Sequence, residues 1–449
     1  MKSKRMDNLK ICALVPNRTH VFNKKHKQRL NTNNYYGLTI IIDTINTKIK
    51  EKIRYVSIED VNKYDIVLYS MLSIEDYYSF VYTYNRKLKE KKKGIWIIGG
   101  SGISNINPLI KYFDYIVLGR GESLIIELLK SIVQGKEINN TSIVEAKKYD
   151  PLNRYYINYT KVLWKGSENT KEEKMYGCKY NCSYCRYRTA TLPPNLRKKD
   201  NKTTMPGNEE TFWELKIKDG SFFTTSLDGL TEKIRYAVNK PISNKQIINK
   251  FILSSKTTKK INIKIYFIIG YPNINNITFK ELLDCFKEID NNINNCKIFI
   301  KLHFTPFGAE PQTPMQWEKV NINTDYRDIM NIEKKISKYL FEGKNLKAII
   351  LNTTIKPLAL LKRMVYNRAG LEDYQILDYL GSHPEQNTHN NKSDKKLKLT
   401  LERFEVTKFT QEYAIGTILP NSNIKSWKDD VQIIKEARIT RKKLSELKN

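Results

Sequence analysis

The stretch Gly177-Cys178-Lys179-Tyr180-Asn181-Cys182-Ser183-Tyr184-Cys185 places three cysteines within eight residues, in the spacing CxxxCxxC. Three thiolates at this spacing can bind one small metal centre. A structural zinc site commonly adds histidine or a second CxxC pair, and neither lies near this loop. Iron–sulfur clusters prefer thiolates, and three of them leave one iron of a cubane open. Cys178, Cys182 and Cys185 are therefore candidate cluster ligands, with a structural zinc ion or three unrelated thiols as the alternatives.

The spacing, with an aromatic residue before the last cysteine, resembles the signature of the radical S-adenosylmethionine (radical SAM) superfamily. The resemblance implies a [4Fe-4S] cluster on Cys178, Cys182 and Cys185, with S-adenosylmethionine on the open iron. It implies that Tyr184 packs by the adenine. It also implies a one-electron reductant of the flavodoxin or ferredoxin type as a partner. Catalytic residues that would act on the substrate are unknown from the sequence.

Residues 1–140 contain continuous apolar runs that alternate with segments typical of helices. The runs begin near Ile11, Ile66, Ile95 and Tyr115. This alternation predicts a Rossmann-like α/β domain whose parallel sheet is covered on both faces. Glycine-rich turns at 99–102 and 119–121 follow two of the runs. Such sheets bind ligands at these strand ends.

This domain is similar to the cobalamin-binding-type domain that precedes the barrel in one large radical SAM class. The strand and Gly-Gly turn at 94–100 and the stretch 114–122 carry the similarity. The Asp-x-His-x-x-Gly motif, whose histidine would coordinate cobalt, is absent, and neither His20 nor His26 has that context. Two alternatives therefore stay open: a base-off cobalamin site, or a Rossmann-like domain that binds no corrin.

Residues 141–320 are predicted to form the radical SAM core, a partial TIM-type (β/α) barrel. Asp228 ends a predicted strand and Arg235 lies on the next helix, so the resemblance implies contacts to the ribose and carboxylate of S-adenosylmethionine. A turn residue and a solvated helix face are the alternatives. The strand predicted at 261–269 ends in Gly270-Tyr271-Pro272, which resembles the strand end that borders the adenine. Gly270 and Pro272 are therefore candidate cofactor-binding residues.

The spacing from Cys178 to Phe222 is only 44 residues (222 minus 178). Several βα units normally fill this interval, so either the barrel is abbreviated or the strands are numbered incorrectly. The loop 305–317, TPFGAEPQTPMQW, resembles a proline-rich loop near the barrel's end in methylthiotransferase-like and cobalamin-domain members. Residues 321–449 are expected to form an α+β extension, with a helix at 326–340, strands within 397–418 and a charged helix from 427.

The charge and the cysteine content set further expectations. The chain has 78 Lys and Arg against 47 Asp and Glu, a net charge of +31. This charge favours nucleic acid as a possible partner, although lysines spread over every segment also suit an AT-rich coding sequence. Its apolar runs are too short to span a bilayer, so no membrane association is predicted. Half of the six cysteines are clustered, which predicts a reducing cytoplasm rather than a disulfide framework.

These observations together predict a radical SAM iron–sulfur enzyme that reductively cleaves S-adenosylmethionine to a 5′-deoxyadenosyl radical. The expected reaction is methyl or methylthio transfer, or a related C–H functionalisation, on an unidentified substrate. Cys12 is the only cysteine of residues 1–140, which counts against a second cluster of the methylthiotransferase type. The alternative is a non-enzymatic, basic nucleic-acid-binding protein with a structural metal site.

Overall fold

The computed structural model describes most of the chain. The described residues are 9–14, 36–49, 53–90, 92–159, 178, 180–190, 220, 222–274, 278–322, 339–353, 357–382 and 392–448. His20, His26 and nearly all of the helix predicted at 326–340 lie outside them.

A six-stranded sheet forms the N-terminal part of the structure. Its strands are β1 (Ile11–Leu14), β2 (Arg54–Tyr55), β3 (Ile66–Ser70), β4 (Ile95–Gly99), β5 (Tyr115–Val117) and β6 (Ile143–Glu145). They lie in the order β2-β1-β3-β4-β5-β6, and only the β5–β6 pair is antiparallel. The helices of this part are α1 (Tyr36–Ile49), α2 (Ile74–Thr83) and α3 (Glu122–Gln134). The predicted α/β sheet with mostly parallel strands is confirmed.

Both faces of this sheet are covered, because successive residues of a strand point to opposite faces. Ile66 and Leu68 of β3 pack in a core with residues of α1 and α3. Val67 and Tyr69 pack in a second core, with residues of α2 and of two C-terminal helices, α8 (Pro357–Arg368) and α9 (Tyr374–Gly381). The Tyr78 hydroxyl of α2 donates a hydrogen bond to the Lys362 carbonyl of α8, at 2.8 Å. The C-terminal part of the chain therefore closes the N-terminal sheet.

A five-stranded sheet follows the cysteine loop. Its strands are β8 (Phe222–Ser226), β9 (Lys260–Ile269), β10 (Lys297–Pro306), β11 (Phe341–Glu342) and β12 (Leu346–Thr353). They lie in the order β11-β12-β10-β9-β8, and all pairs except β11–β12 are parallel. The accompanying helices are α5 (Glu232–Ala237), α6 (Asn244–Ser255) and α7 (Lys280–Asn291). Four parallel strands with helices on one face agree with a (β/α) unit, and its arrangement as a partial barrel stays a prediction.

The remaining elements surround the two sheets. They are β7 (Tyr155–Tyr156), β13 (Ile424–Lys425), α4 (Tyr187–Ala190), α10 (Lys392–Arg403), α11 (Thr407–Thr410) and α12 (Asp430–Ser445). Within the described ranges, no helix has the length and apolar character needed to cross a membrane.

The prediction of strands within 397–418 is wrong, because this segment forms the end of α10 and all of α11. Leu397, Leu399 and Leu401 alternate with polar residues, and this alternation suggested a strand. In the structure Leu397, Leu401 and Phe404 pack against the core, while Leu399 is 46% exposed. The spacing of four and three residues that defines a helix face therefore prevails over the alternation.

Gly100 is expected to tolerate no side chain. Its φ is +120°, and a Cβ atom would lie 2.3 Å from the Met71 carbonyl oxygen. Gly135, the control, has φ +62° but no atom within 4 Å of its added Cβ. We expect Gly100→Ala to lower the free energy of unfolding by about 3 kcal/mol or more, and Gly135→Ala by about 1 kcal/mol. Denaturant unfolding measures both values, and equal losses would contradict this account.

Candidate functional site

The cysteine loop is held in place by residues from three separate parts of the chain. The Ser183 amide donates to the Val238 carbonyl at 2.9 Å, and the Met315 amide donates to the Ser183 carbonyl at 3.2 Å. The hydroxyl groups of Ser183 and Thr440 are hydrogen-bonded at 2.8 Å. Val238 follows α5, Met315 lies in the proline-rich loop, and Thr440 lies in α12. The cysteine loop is thus held in place by three elements: the end of α5, the proline-rich loop and α12.

The three candidate cysteines differ in burial. Cys182 is buried, whereas Cys178 and Cys185 are half-buried. The Cys185 amide donates to the Cys182 carbonyl at 3.2 Å, so these two residues share one turn. Burial raises the pKa of the Cys182 thiol to about 12, and nearby Lys240 opposes this effect. A metal centre would have to displace that proton, as thiolate ligation requires.

The donor set fits an iron–sulfur cluster better than a hard cation, because thiolates are soft ligands. Among the residues that the structure describes, no three His, Cys, Asp or Glu side chains are arranged as a metal site. The fit of Cys178, Cys182 and Cys185 to a cluster therefore rests on their chemistry and on their common loop.

Tyr184 and Asp228, predicted separately from the sequence, meet in the structure. The Tyr184 hydroxyl donates a hydrogen bond to Oδ2 of Asp228, and the Ser226 hydroxyl donates to the same oxygen at 2.8 Å. Lys240 Nζ lies 3.2 Å from that oxygen and donates to Ser226 Oγ at 2.9 Å. The side chains of Lys240 and Asp228 are only 5% and 10% exposed. Lys240 and Ser226 were not predicted as site residues, because no sequence motif marks them.

Local backbone geometry produces this contact. Asp228 follows β8 with φ +58°, a left-handed conformation that aspartate tolerates better than most residues. Gly270, at φ +74°, ends β9 and turns the chain, so that the Tyr271 hydroxyl donates to the Asp228 carbonyl at 2.9 Å. The rings of Tyr184 and Tyr271 lie 6.0 Å apart. Burial raises the pKa of both tyrosines, so both remain neutral hydrogen-bond donors.

Two further candidates have different surroundings. Pro272 lies in the turn after Gly270, beside Tyr271. Arg235 is fully buried, and its guanidinium donates to the Ile242 carbonyl at 2.6 Å and the Gly229 carbonyl at 3.1 Å. It also donates to Oδ1 of Asn244. Arg235 thus links the residues on both sides of α5 to the start of α6. Its contact with a cofactor carboxylate stays a prediction.

Arg186, the residue after the last cysteine of the motif, connects the two sheets. Its Nη1 donates to the Ser101 carbonyl at 2.6 Å, and its Nη2 donates to the Ile103 carbonyl. Its Nε donates to Oε1 of Gln312 in the proline-rich loop, at 3.1 Å. Desolvation lowers the pKa of Arg186. The sequence offered no signal for this role, because it depends on the distant glycine-rich turn.

A cavity of about 870 Å³ lies between the strand ends of the two sheets. Its lining includes the glycine-rich turns 99–102 and 119–121 of the first sheet, and Tyr184 and Cys185 of the cysteine loop. The ends of β9 and β10 contribute Ile268 and Thr305. Ligand pockets typically measure about 300–1,000 Å³, so the cavity can hold a cofactor or substrate.

Charged side chains line part of the cavity in pairs. Arg363 Nε donates to Oε1 of Glu310 at 2.5 Å, and Arg120 Nη2 lies 2.6 Å from Oε1 of Glu122. All four residues belong to the lining. The lining also includes Glu75 and Arg186, which have opposite charges, so the wall is polar but close to neutral overall.

No protein-family model matches the chain. The chain is 22% identical to an uncharacterized protein of Methanocaldococcus jannaschii, and the alignment covers 62% of this chain and 74% of the other. Among solved structures, it is similar to the apo form of the cobalamin-dependent S-adenosylmethionine radical enzyme OxsB, at 12% identity and a TM-score of 0.42. This match covers 98% of the chain and 80% of OxsB. OxsB with aqua-cobalamin bound matches over the same shares, at 12% identity and a TM-score of 0.36. TM-scores below 0.5 do not define a shared fold.

Loss of the Lys240 ammonium group is expected to destabilise the site strongly. Lys240→Met leaves the Asp228 carboxylate buried without its opposite charge, which typically costs about 3–5 kcal/mol of unfolding free energy. The control is Lys287→Met, because Lys287 pairs with Asp284 at 3.5 Å on the exposed surface of α7. An exposed pair contributes about 0–1 kcal/mol.

Denaturant unfolding of the two variants gives the comparison. The double variant Lys240→Met/Asp228→Asn should recover part of the lost stability, because it removes both buried charges. A loss for Lys240→Met no larger than that of the control would refute the importance of this pair.

Proposed function

We propose that the protein is a radical SAM enzyme in which Cys178, Cys182 and Cys185 hold a [4Fe-4S] cluster. The CxxxCxxC loop is the observation that carries this proposal. The position of this loop in the structure supports the proposal. Three distant segments fix the loop, and its residues Tyr184 and Cys185 line a cavity large enough for a cofactor. A structural metal site would need no such cavity beside it.

Cys178, Cys182 and Cys185 would hold the cluster, which would supply the electron for reductive cleavage of S-adenosylmethionine to methionine and a 5′-deoxyadenosyl radical. The protein's own residues bind and orient the cofactor and the substrate, and they exclude water, as is usual where a cofactor performs the chemistry. Tyr184 lines the cavity and would present its ring to the adenine, and the buried Tyr271 packs beside it. Asp228 accepts hydrogen bonds from Tyr184 and Ser226 and pairs with Lys240, so we assign it the role of positioning Tyr184.

Lys240 adds a fixed positive charge close to the proposed cluster. Its Nζ lies 4.5 Å from the centroid of the Tyr180 ring, within the cysteine loop itself. A buried cation stabilises the reduced, more negatively charged state of a cluster more than its oxidised state, so Lys240 would raise the reduction potential. The reductant would be a flavodoxin- or ferredoxin-type protein in a reducing cytoplasm.

The cavity also suits a corrin, in the base-off form. Two glycine-rich turns of the first sheet line it, at the strand ends where α/β sheets bind ligands. Its described lining contains no histidine, so a cobalt ion would receive no imidazole from these residues. We propose cobalamin as the second cofactor and a methyl transfer, or a related C–H functionalisation, as the reaction. Methylthio transfer is less favoured, because Cys12 is a single thiol buried in β1.

Cluster-dependent cleavage of S-adenosylmethionine is the direct test. After anaerobic reconstitution with iron and sulfide and reduction with dithionite, the full chain should form 5′-deoxyadenosine. Cys182→Ala should fall to background, because one of three ligands is lost. Cys285→Ala should keep the activity, because Cys285 is a buried thiol of α7 outside the loop.

Liquid chromatography measures the nucleoside, and metal analysis measures iron and zinc. A colourless protein that holds zinc and cleaves nothing would reject the proposal. That result would favour the basic nucleic-acid-binding protein, whose affinity should fall steeply with salt.

Cobalamin binding is tested separately, with hydroxocobalamin and the full chain. We expect uptake visible in the absorption spectrum, and at least about tenfold weaker binding in Ser101→Trp, which places an indole in the cavity wall. Ser57→Trp is the control, because Ser57 is exposed and outside the lining. Absence of uptake by the wild type would remove cobalamin from the proposal and leave the cluster chemistry standing.

A further inference from the structure

One face of the second sheet is apolar and covered by helices, and the opposite face is polar and aromatic. Along β9, Ile261, Ile263, Ile265 and Phe267 are buried in the core with residues of α6 and α7. The residues between them point to the opposite face, because strand residues alternate. We call this opposite face the inner face. Beyond Lys260 and Lys297, which start β9 and β10 on the same face, its residues on these three strands are Phe222, Thr224 and Ser226 of β8, Asn262, Lys264, Tyr266 and Ile268 of β9, and Phe299, Lys301, His303 and Thr305 of β10.

Two lysines are neighbours on the inner face. Lys301 of β10 is in register with Lys264 of β9, and Lys264 is in register with Thr224 of β8. Adjacent strands lie about 4.8 Å apart, so the two side chains leave the sheet close together. Like charges in this relation repel each other. This pair therefore does not contribute to the stability of the sheet.

Neither lysine has an acidic partner among the described residues. Lys264 Nζ lies 4.5 Å from the centroid of the Tyr266 ring. Lys301 Nζ lies 5.7 Å from that of Phe299 and 5.8 Å from that of Phe222. These are cation–π distances, and they leave the ammonium groups able to contact an anion. Between the strand starts at Lys260 and Lys297 and the cavity, the described residues of β8, β9 and β10 therefore place two positive charges and no negative one on this face. On the neighbouring strands the charges are paired, because Lys347 of β12 lies 2.6 Å from Glu342 of β11.

The neighbours of the lysines suit a ligand with an anionic end and an apolar or planar body. Phe222 is 57% exposed, although it is a large apolar side chain at the level below the lysines. His303, at the level above, is 7% exposed and its ring lies 4.7 Å from that of Tyr266. Burial and the charge of Lys264 lower the pKa of His303 to about 4. At neutral pH its imidazole is uncharged and can both donate and accept a hydrogen bond.

The inner face leads to the candidate site. Ser226, in register with Tyr266, belongs to the group that holds Tyr184 and Asp228. Ile268 and Thr305, further along the same strands, line the large cavity. Ile268 lies four positions after Lys264, which corresponds to about 13 Å along a strand. A ligand held by the lysines can therefore extend along the sheet toward the cavity.

We propose that the inner face binds the substrate and that Lys264 and Lys301 bind a phosphate group of that substrate. Two adjacent ammonium groups match the charge of a phosphate monoester, which is close to −2 at neutral pH, and lysine commonly binds phosphate as a point charge. The assignment of the ligand as substrate rests on the proposed radical SAM function, whereas the anion binding itself does not.

The test is a binding measurement on the full chain as purified, with inorganic phosphate as the probe. The variant is Lys264→Gln/Lys301→Gln, and the control is Lys280→Gln/Lys287→Gln, which removes the same charge from the exposed surface of α7. The ³¹P resonance of phosphate should broaden when the wild type or the control protein is added. We expect at least tenfold weaker binding by the inner-face variant, and equal binding by all three proteins would overturn the proposal.

Two further readouts make the test specific. Amine acylation followed by mass spectrometry should show that phosphate protects Lys264 and Lys301, and that acetate at equal ionic strength does not. Equal protection by acetate would overturn the phosphate assignment. Without phosphate, the inner-face variant should melt at the wild-type temperature or above it, because a repulsion is removed. A lower melting temperature would show that the lysines are structural, and it would contradict the proposal.

Failure of this inference is distinguishable from failure of the proposed function. Phosphate binding needs no cluster, and formation of 5′-deoxyadenosine needs no phosphate. Phosphate binding without S-adenosylmethionine cleavage would reject the enzyme function and keep the anion site. Cleavage without phosphate binding would keep the enzyme and reject the site.

Discussion

The hydrogen bonds of the half-buried Arg186 guanidinium are the interaction on which the candidate site depends. The guanidinium donates to two carbonyls of the glycine-rich turn and to Gln312, and so links the first sheet, the cysteine loop and the proline-rich loop. A partly desolvated guanidinium is stabilised when its donors have partners, and here the partners come from three segments. Ser101, Ile103 and Arg186 all line the cavity, so these hydrogen bonds help to set the separation of its walls.

The C-terminal part of the chain completes the structure on both sides of that link. Helices α8 and α9 cover a face of the first sheet, and Thr440 of α12 contacts Ser183 within the cysteine loop. Asn105, just beyond the glycine-rich turn, donates to the carbonyls of Tyr366 and Ala369 at 2.9 and 2.8 Å. The N-terminal sheet thus exposes apolar surface unless the last hundred residues fold onto it. The same segment stabilises the cysteine loop and the edge of the sheet that carries the glycine-rich turns.

Sequence patterns predicted what depends on local chemistry. Continuous apolar runs located β3, β4, β9 and β10, and the spacing of three cysteines located the loop at the centre of the site. They failed where tertiary contacts decide: the alternation within 397–418 belongs to a helix face, and Arg235, for which a solvated helix face was one alternative, is fully buried. Lys240 follows an ordinary helix, and only the fold brings it to Asp228. No sequence pattern could pair Lys264 with Lys301, since strand order and register together decide that contact.

The two faces of the second sheet show how one strand serves both folding and binding. In β9, the alternate residues that face α6 and α7 are all large and apolar, and their burial stabilises the sheet. The other residues lie outside that core, so several of them can carry charge, hydroxyl groups and exposed rings at little cost to it. Stability and recognition are thereby separated by the two-residue period of the strand. A binding surface built this way can change its ligand by substitutions at every second position, while the core on the opposite face stays intact.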